Sequence, residues 1–84
     1  PPCGVRVRSP VELAIEAAKE QLNLNIAQQE AAAQEETRQK ELFEKMAARK
    51  SDLDKAIAMR KSWDAQIEIA NQAIKDKELD LEYS

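Results

Sequence analysis

The sequence predicts an all-α protein, built as a long antiparallel helical hairpin in which two helices form a coiled coil. Three observations predict this fold. Ala, Glu, Lys, Gln, Leu and Arg dominate the chain, and these residues have the highest helix propensities. The single glycine and all three prolines lie within the first ten positions, so no strong helix breaker interrupts the remainder. Apolar residues then recur at helical spacing to the end of the chain.

Composition limits the size of any core. A chain of 84 residues has room for one small domain and for little independent apolar interior. Alanine supplies 14 of the 36 apolar residues, and only three residues are aromatic. The net charge of -3 does not favour the attraction of a polyanion by bulk electrostatics. No apolar run approaches the ~20 residues that cross a bilayer, so we expect no membrane span.

Residues 1–8 form a separate segment with the character of an extended arm. Two prolines favour an open backbone, and Val5 to Arg8 alternates with the period of a strand. The arm is either a flexible tail or an added strand on a partner. Because the chain begins with Pro1, and its opening carries arginines but no acids, we expect a processed product or a fragment. The expected location is soluble and intracellular, with an organelle after presequence removal as the alternative.

Helix 1 is predicted over residues 9–50. It starts at Ser9-Pro10-Val11-Glu12, where serine suits the N-cap, proline the first helical position and glutamate the third position of a capping box. Two apolar stripes follow on opposite sides, which predicts neighbours on two sides. The segment 34–41 has polar side chains on every side of the helix. We expect pairs of side chains within this segment to stabilise its helical conformation. The stripes contain Val11, Ile15, Ala18, Leu22, Ile26, Ala33, Phe43 and Ala47 on one side, and Leu13, Ala17, Leu24, Ala31, Leu42 and Met46 on the other.

The stretch AARKSDLDK, residues 47–55, decides between a hairpin and a rod. Arg49 and Lys50 suit a helix C-terminus, and Ser51 with Asp54 resembles a second capping box. These features favour a turn, with helix 2 over residues 51–84. The alternative is one continuous long helix in a bundle, because no glycine or asparagine marks a stop.

Matching the two arms also favours the hairpin. If the chain folds back about residue 50, position i faces roughly position 100 − i. Phe43 then meets Ile57, and the inward Arg60 comes close to Glu36 and Glu41. Helix 2 carries the stronger stripe, a heptad series of Leu53, Ala56, Arg60, Trp63, Ile67, Ala70, Ile74, Lys77 and Leu81, beside a weaker face of Ala58, Ala65, Ile69 and Ala73.

Catalytic chemistry is not indicated. The chain has no histidine, no glycine-rich phosphate loop and a single cysteine, Cys3, without a base nearby in sequence. We expect no enzyme, no cofactor, no metal site and no small-molecule substrate. Sparse large apolar residues on several helix faces instead predict a non-catalytic structural or adaptor subunit, which mediates protein–protein interaction in a larger assembly with other subunits or with itself. Its expected interface residues are Leu22, Leu24, Ile26, Leu42, Phe43, Leu53, Ile57, Trp63, Ile67, Ile74 and Leu81.

Two alternative functions use other features of the chain. Residues 38–61 carry a net charge of +4, so the hairpin tip could contact an acidic partner, including the nucleic acid of a ribonucleoprotein. The basic residues proposed for that contact are Arg49, Lys50, Lys55, Arg60 and Lys61. The nucleic-acid signal is weak, because only Phe43 and Trp63 interleave with these residues. The second alternative is a small helical chaperone or inhibitor that covers a partner's groove with its amphipathic face.

Overall fold

The structure is a computed structural model that describes residues 10–83, with side chains for residues 10–80. It contains two helices, α1 at Pro10–Glu44 and α2 at Lys50–Tyr83, of 35 and 34 residues. They pack side by side along their length in a body of 67 × 26 × 12 Å. The predicted helical hairpin is confirmed, and the alternative of one continuous rod is wrong.

The start of α1 agrees with the sequence prediction at the one residue that can be compared. The helix begins at Pro10, where a missing amide hydrogen removes no helical bond. Ser9 and the arm of residues 1–8 lie outside the described residues, as does the serine half of the predicted capping box. Glu12 occupies the first turn, where the positive end of the helix dipole favours a carboxylate.

The end of α1 differs from the prediction, because the helix stops at Glu44 and not at residue 50. The amide of Met46 donates to the Phe43 carbonyl at 3.0 Å, and the amide of Ala47 donates to the Leu42 carbonyl at 2.7 Å. This pair of bonds defines a Schellman motif, which closes a helix through one residue in the left-handed conformation. Met46 is that residue, with φ at 60°. Methionine therefore stands where glycine is usual, so the sequence carries no glycine signal for the end of α1.

Replacing Met46 with glycine should stabilise the hairpin by about 1 kcal/mol, because a side chain at Cβ disfavours the left-handed conformation. The methionine side chain is 95% exposed, so its removal costs no packing within the hairpin. Thermal unfolding followed by circular dichroism at matched concentrations would measure the gain. Met46→Ala is the control and should give no comparable gain, because alanine keeps Cβ. Equal midpoints for the glycine and alanine variants would contradict the explanation.

Helix α2 begins at Lys50, and its N-cap lies two residues before the predicted N-cap at Ser51. The carbonyl of Arg49 accepts from the amides of Asp52 at 3.0 Å and Leu53 at 3.2 Å, so Arg49 is the N-cap residue and Asp52 lies at N3. The predicted box of Ser51 with Asp54 is therefore wrong. Asp52 still meets the positive end of the dipole. The expectation that basic residues cover the C-terminus of α1 is also wrong, since its last turn contains none.

The helices meet along a seam with heptad spacing on both sides. On α2 every described member of the predicted heptad series is buried or half-buried, so that part of the prediction is confirmed. The last member, Leu81, lies outside the described side chains. On α1 the buried and half-buried positions that follow the same 3,4 spacing are Val11, Ile15, Ala18, Leu22, Asn25, Gln29, Ala32, Glu36 and Gln39.

Little of this seam is fully shielded from water. The buried apolar residues of the described chain are Ile15 and Ile74 toward the open end, with Ala32 and Ala56 toward the turn, and Asn25 is the buried polar residue. No described side chain is completely inaccessible. Because alanine buries little area, the apolar stabilisation of the hairpin rests mainly on a few isoleucines and leucines.

Candidate functional site

Polar side chains occupy the middle of the seam, where a coiled coil normally places apolar ones. The side-chain amide of Gln21 donates to the Asn25 side-chain oxygen at 3.0 Å, and the Asn25 side-chain amide donates to the main-chain carbonyl of Gln66 at 3.5 Å. One turn further, Gln29 donates to the Asp64 carboxylate at 3.0 Å. No buried side-chain polar atom of the described residues lacks a partner. The polar middle therefore links the two helices at defined positions.

Arg60 joins this group toward the turn. Its guanidinium donates to the Glu36 carboxylate across the seam, and to Asp64 one turn along α2 at 2.6 Å. The hydrogen bond to Glu36, ahead of that to Asp64, raises the pKa of Arg60 above its usual value. The predicted approach of Arg60 to Glu36 is confirmed. Glu41, the other carboxylate expected near it, is exposed.

The register of the hairpin follows from these contacts. The three cross-seam pairs have residue numbers that add to 91, 93 and 96 instead of the expected 100. The difference arises because the connection runs from Lys45 to Arg49 and is not centred on residue 50. The predicted pairings, such as Phe43 with Ile57, are therefore shifted by about one to two and a half helical turns.

The segment 34–41 combines internal pairs with contacts to α2. Arg38 binds Glu35 at 2.6 and 2.9 Å on the helix surface, and Gln39 donates to Glu35 at 2.9 Å. These are the side-chain pairs that were expected to hold this polar stretch. However, Glu36 faces the seam and binds Arg60, so the segment is also held by packing.

The Glu35 carboxylate should titrate at unusually low pH. Hydrogen bonds from Arg38, and next from Gln39, lower its pKa from 4.5 to about 2. A lowered pKa in the folded state favours folding above the unfolded pKa, and this contribution disappears as the pH falls from 4.5 toward 2. NMR titration of the side-chain carboxyl carbon would measure it. Arg38→Ala should return the pKa toward 4.5, with a smaller change for Gln39→Ala. An unchanged Glu35 pKa in Arg38→Ala would contradict this assignment.

A shallow groove of about 350 Å³ runs over one broad face at mid-length, and we call it the central groove. Its lining is uncharged and mixes amides with large apolar groups. A second groove of about 300 Å³ continues from it toward the turn and shares Met59. Trp63 is half-buried, so its indole belongs both to the seam and to the groove. The central groove is lined by Gln21, Leu24, Asn25, Gln28, Met59, Ser62, Trp63 and Gln66.

The structure divides the predicted interface residues into three groups. Ile74 is buried between the helices, and so takes part in packing within the chain. Leu24, Ile26 and Phe43 are exposed large apolar residues. The half-buried members are Leu22, Leu42, Leu53, Ile57, Trp63 and Ile67, and Leu81 lies outside the described side chains.

The predicted basic contact residues also separate. Arg49, Lys50, Lys55 and Lys61 are exposed around the turn. Arg60 instead points into the seam toward Glu36 and Asp64. The guanidinium of Arg60 is thus engaged within the chain, and the exposed basic surface of the tip consists of the other four and their neighbours.

Sequence reasoning missed the residues that make the middle of the hairpin distinctive. Asn25 and Gln29 continue the 3,4 spacing from Leu22, and that spacing is the signal that could have placed them in the seam. They were missed because the stripes were drawn through apolar residues only. Met59, in both grooves, lies beside the seam position of Arg60, and no local pattern marks it.

Residues 10–83 contain two helices and no other regular element. Neither helix there has a stretch apolar and long enough to cross a membrane. Within the same residues, no three side chains of the metal-ligating types come together in a way that could hold a metal ion.

No family model, no curated protein and no solved structure matches the chain.

Proposed function

We propose that this protein is a non-catalytic helical-hairpin subunit, which works by packing its exposed apolar surface against other protein chains in a multi-subunit assembly. The observation that carries the proposal is the contrast between a thin core and a large exposed apolar surface. Only four apolar residues of the described chain are buried. Twice as many large apolar residues are exposed: Leu13, Leu24, Ile26, Phe43, Met46, Met59, Ile69 and Leu79.

Energetics supports this proposal. In proteins most helical stability comes from packing an apolar face against a neighbour and not from helix propensity. With two isoleucines and two alanines as its buried apolar residues, the hairpin lacks the interior that normally stabilises two long helices. Contacts with another chain would supply the missing burial.

The exposed apolar residues are spread over more than one side. Leu24 and Met59 line the central groove, whereas Ile69 lines a separate shallow groove on α2 with Glu68, Asn71, Gln72 and Lys75. Leu79 lies twenty residues after Met59, about five and a half helical turns, and therefore on the opposite side of α2. A surface of this kind suits a subunit with neighbours on two sides, which a groove-capping inhibitor would not need.

Dilution of the purified chain tests the proposal. We expect the helical circular dichroism signal and the unfolding midpoint to fall with concentration, or to stay low until a partner is added. Sedimentation at the same concentrations should show association wherever the chain is helical. A monomer with cooperative unfolding at a midpoint independent of concentration would overturn the proposed function.

A further inference from the structure

We infer that the partner on the central groove is a second copy of this chain, which packs in the opposite direction to form a two-fold symmetric four-helix bundle. This inference deepens the proposed function and rests on it. Three properties of the described chain support it: the distribution of charge along the hairpin, the neutral composition of its middle, and the dimensions of its broad face.

Charge is separated between the two ends of the hairpin. Residues 38–61 around the turn carry eight basic and four acidic residues, a net charge of +4. Residues 10–37 carry one basic and six acidic residues, and residues 62–83 carry two and six, which gives -5 and -4. A second copy in the opposite direction places the basic turn of each chain beside the acidic open end of the other. A parallel arrangement would place like charges together, which is unfavourable.

The surface at the middle of the hairpin is suited to pack against the same surface of a second copy. Residues 21–29 carry no charge, and the facing stretch 62–72 carries only Asp64 and Glu68. Asp64 is already bound by Gln29 and Arg60. These stretches lie near the midpoints of α1 and α2. A two-fold axis through the central groove therefore brings two neutral surfaces together, with amides and apolar side chains on both.

The broad face is also large enough. A stable interface buries about 800 Å² per partner, and two helices about 50 Å long, each about 10 Å across and side by side, present a face of roughly 1,000 Å². Leu24 and Met59 would lose their exposure at the centre of that interface, together with the outer edge of Trp63. A central apolar cluster with charged contacts toward both ends is the usual anatomy of a specific interface.

Cross-linking tests the direction of packing. If the two-fold axis crosses α2 at its middle, between residues 66 and 67, Lys55 of one copy lies level with residue 78 of the other. That position is within one helical turn of Asp80. In a Cys3→Ser background, chains with Lys55→Cys should form cross-links with chains carrying Asp80→Cys. Each variant alone should give few, because the two equivalent positions lie roughly 35 Å or more apart in the dimer. Dominant links between two Lys55→Cys chains would overturn the antiparallel arrangement.

Matched variants test the groove itself. Leu24 and Met59 are more than half exposed in one hairpin, and glutamine keeps much of their length, so Leu24→Gln/Met59→Gln should keep the fold and weaken dimerisation at least tenfold by sedimentation. Leu79→Gln is the control, because Leu79 is 49% exposed and Met59 56%, yet Leu79 lies twenty residues after Met59 and therefore on the opposite side of α2, away from the central groove. It should change the dimer dissociation constant less than twofold. Equal effects of the two changes would overturn the groove as the interface.

Trp63, the only tryptophan, gives an independent signal. Its emission should shift to shorter wavelength as the concentration of the wild-type chain rises through the dimer dissociation constant. The shift should move to higher concentration in Leu24→Gln/Met59→Gln and in high salt, which screens the contacts between turn and open end. An emission spectrum that is constant while sedimentation shows dimerisation would overturn the groove as the interface.

The same measurements separate this inference from the proposed function. A chain that stays monomeric and poorly helical at high concentration overturns the second copy as the partner, and leaves a different protein as the required neighbour. A dimer whose cross-links show parallel packing overturns the inference of an antiparallel dimer and leaves the proposed function standing. A cooperatively folded monomer, stable at every dilution, overturns both.

Discussion

Ile74→Ala should destabilise the hairpin by about 2–4 kcal/mol. Ile74 is 7% exposed and is one of two buried large aliphatic residues of the described chain. Truncation to alanine removes most of its side chain from the seam, and the neighbouring heptad positions on α2 include Ala70 and Lys77. Ala70 offers little volume to fill the resulting space, and Lys77 can cover it only with the aliphatic part of its side chain. Because the whole apolar interior is small, the loss is a large fraction of the total stability.

Ile69→Ala is the matched control for Ile74→Ala. It changes the same residue type in the same helix, but Ile69 is 63% exposed. In the isolated hairpin we expect a change below about 0.5 kcal/mol, typical of surface positions. Both variants have the same helix propensity change, so their difference reports packing alone. Chemical unfolding at equal chain concentration would measure it. Similar losses for the two variants would contradict the seam that the structure describes.

Arg60→Ala should lower the unfolding midpoint on the order of 5 °C, well beyond the effect of other exposed or half-exposed basic residues. Without the guanidinium, the half-buried Glu36 carboxylate faces α2 with its cross-seam partner missing. Asp64 loses one of its two contacts and keeps the one from Gln29. The loss should therefore arise mainly from Glu36, and thermal unfolding followed by circular dichroism would measure it.

Two variants show whether the seam position is responsible. Arg38→Ala removes an equally good pair with Glu35, but that pair lies on the surface of one helix and should contribute little. The double variant Arg60→Leu/Glu36→Leu replaces the cross-seam pair by apolar side chains, and should recover or exceed the wild-type midpoint. If Arg38→Ala were as harmful as Arg60→Ala, or the double variant as harmful as the single one, the cross-seam pair would not explain the loss.

Local chemistry was enough to predict the hairpin. Pro10 marked the beginning of α1, and the 3,4 spacing from Leu53 to Lys77 marked the face that α2 turns toward α1. The approach of Arg60 to Glu36 followed from folding one apolar pattern onto the other. These features depend on residues close in sequence, or on a match that tolerates a shift of one turn.

The turn and the register could not be read from the sequence, for a physical reason. The end of α1 depends on Met46 adopting the left-handed conformation, which methionine disfavours. Residue preferences therefore predicted that the helix continues beyond Met46. Register then follows from the turn, because moving the turn by a few residues moves every facing pair. The central groove depends on that register, which brings Leu24 beside Met59 and Trp63. No periodicity within one helix contains this information.

The polar contacts at mid-length have a mechanical consequence. Sliding α2 along α1 by one heptad would carry Arg60 away from Glu36 and toward the uncharged Gln29 or the aromatic Phe43, and would break the contact between Gln29 and Asp64. A seam made only of Leu and Ala would tolerate this sliding far better, because successive heptads would then present the same apolar side chains to the partner helix. The two helices are therefore held in one register. A force that slides one helix past the other is opposed by these polar contacts near the centre of the hairpin.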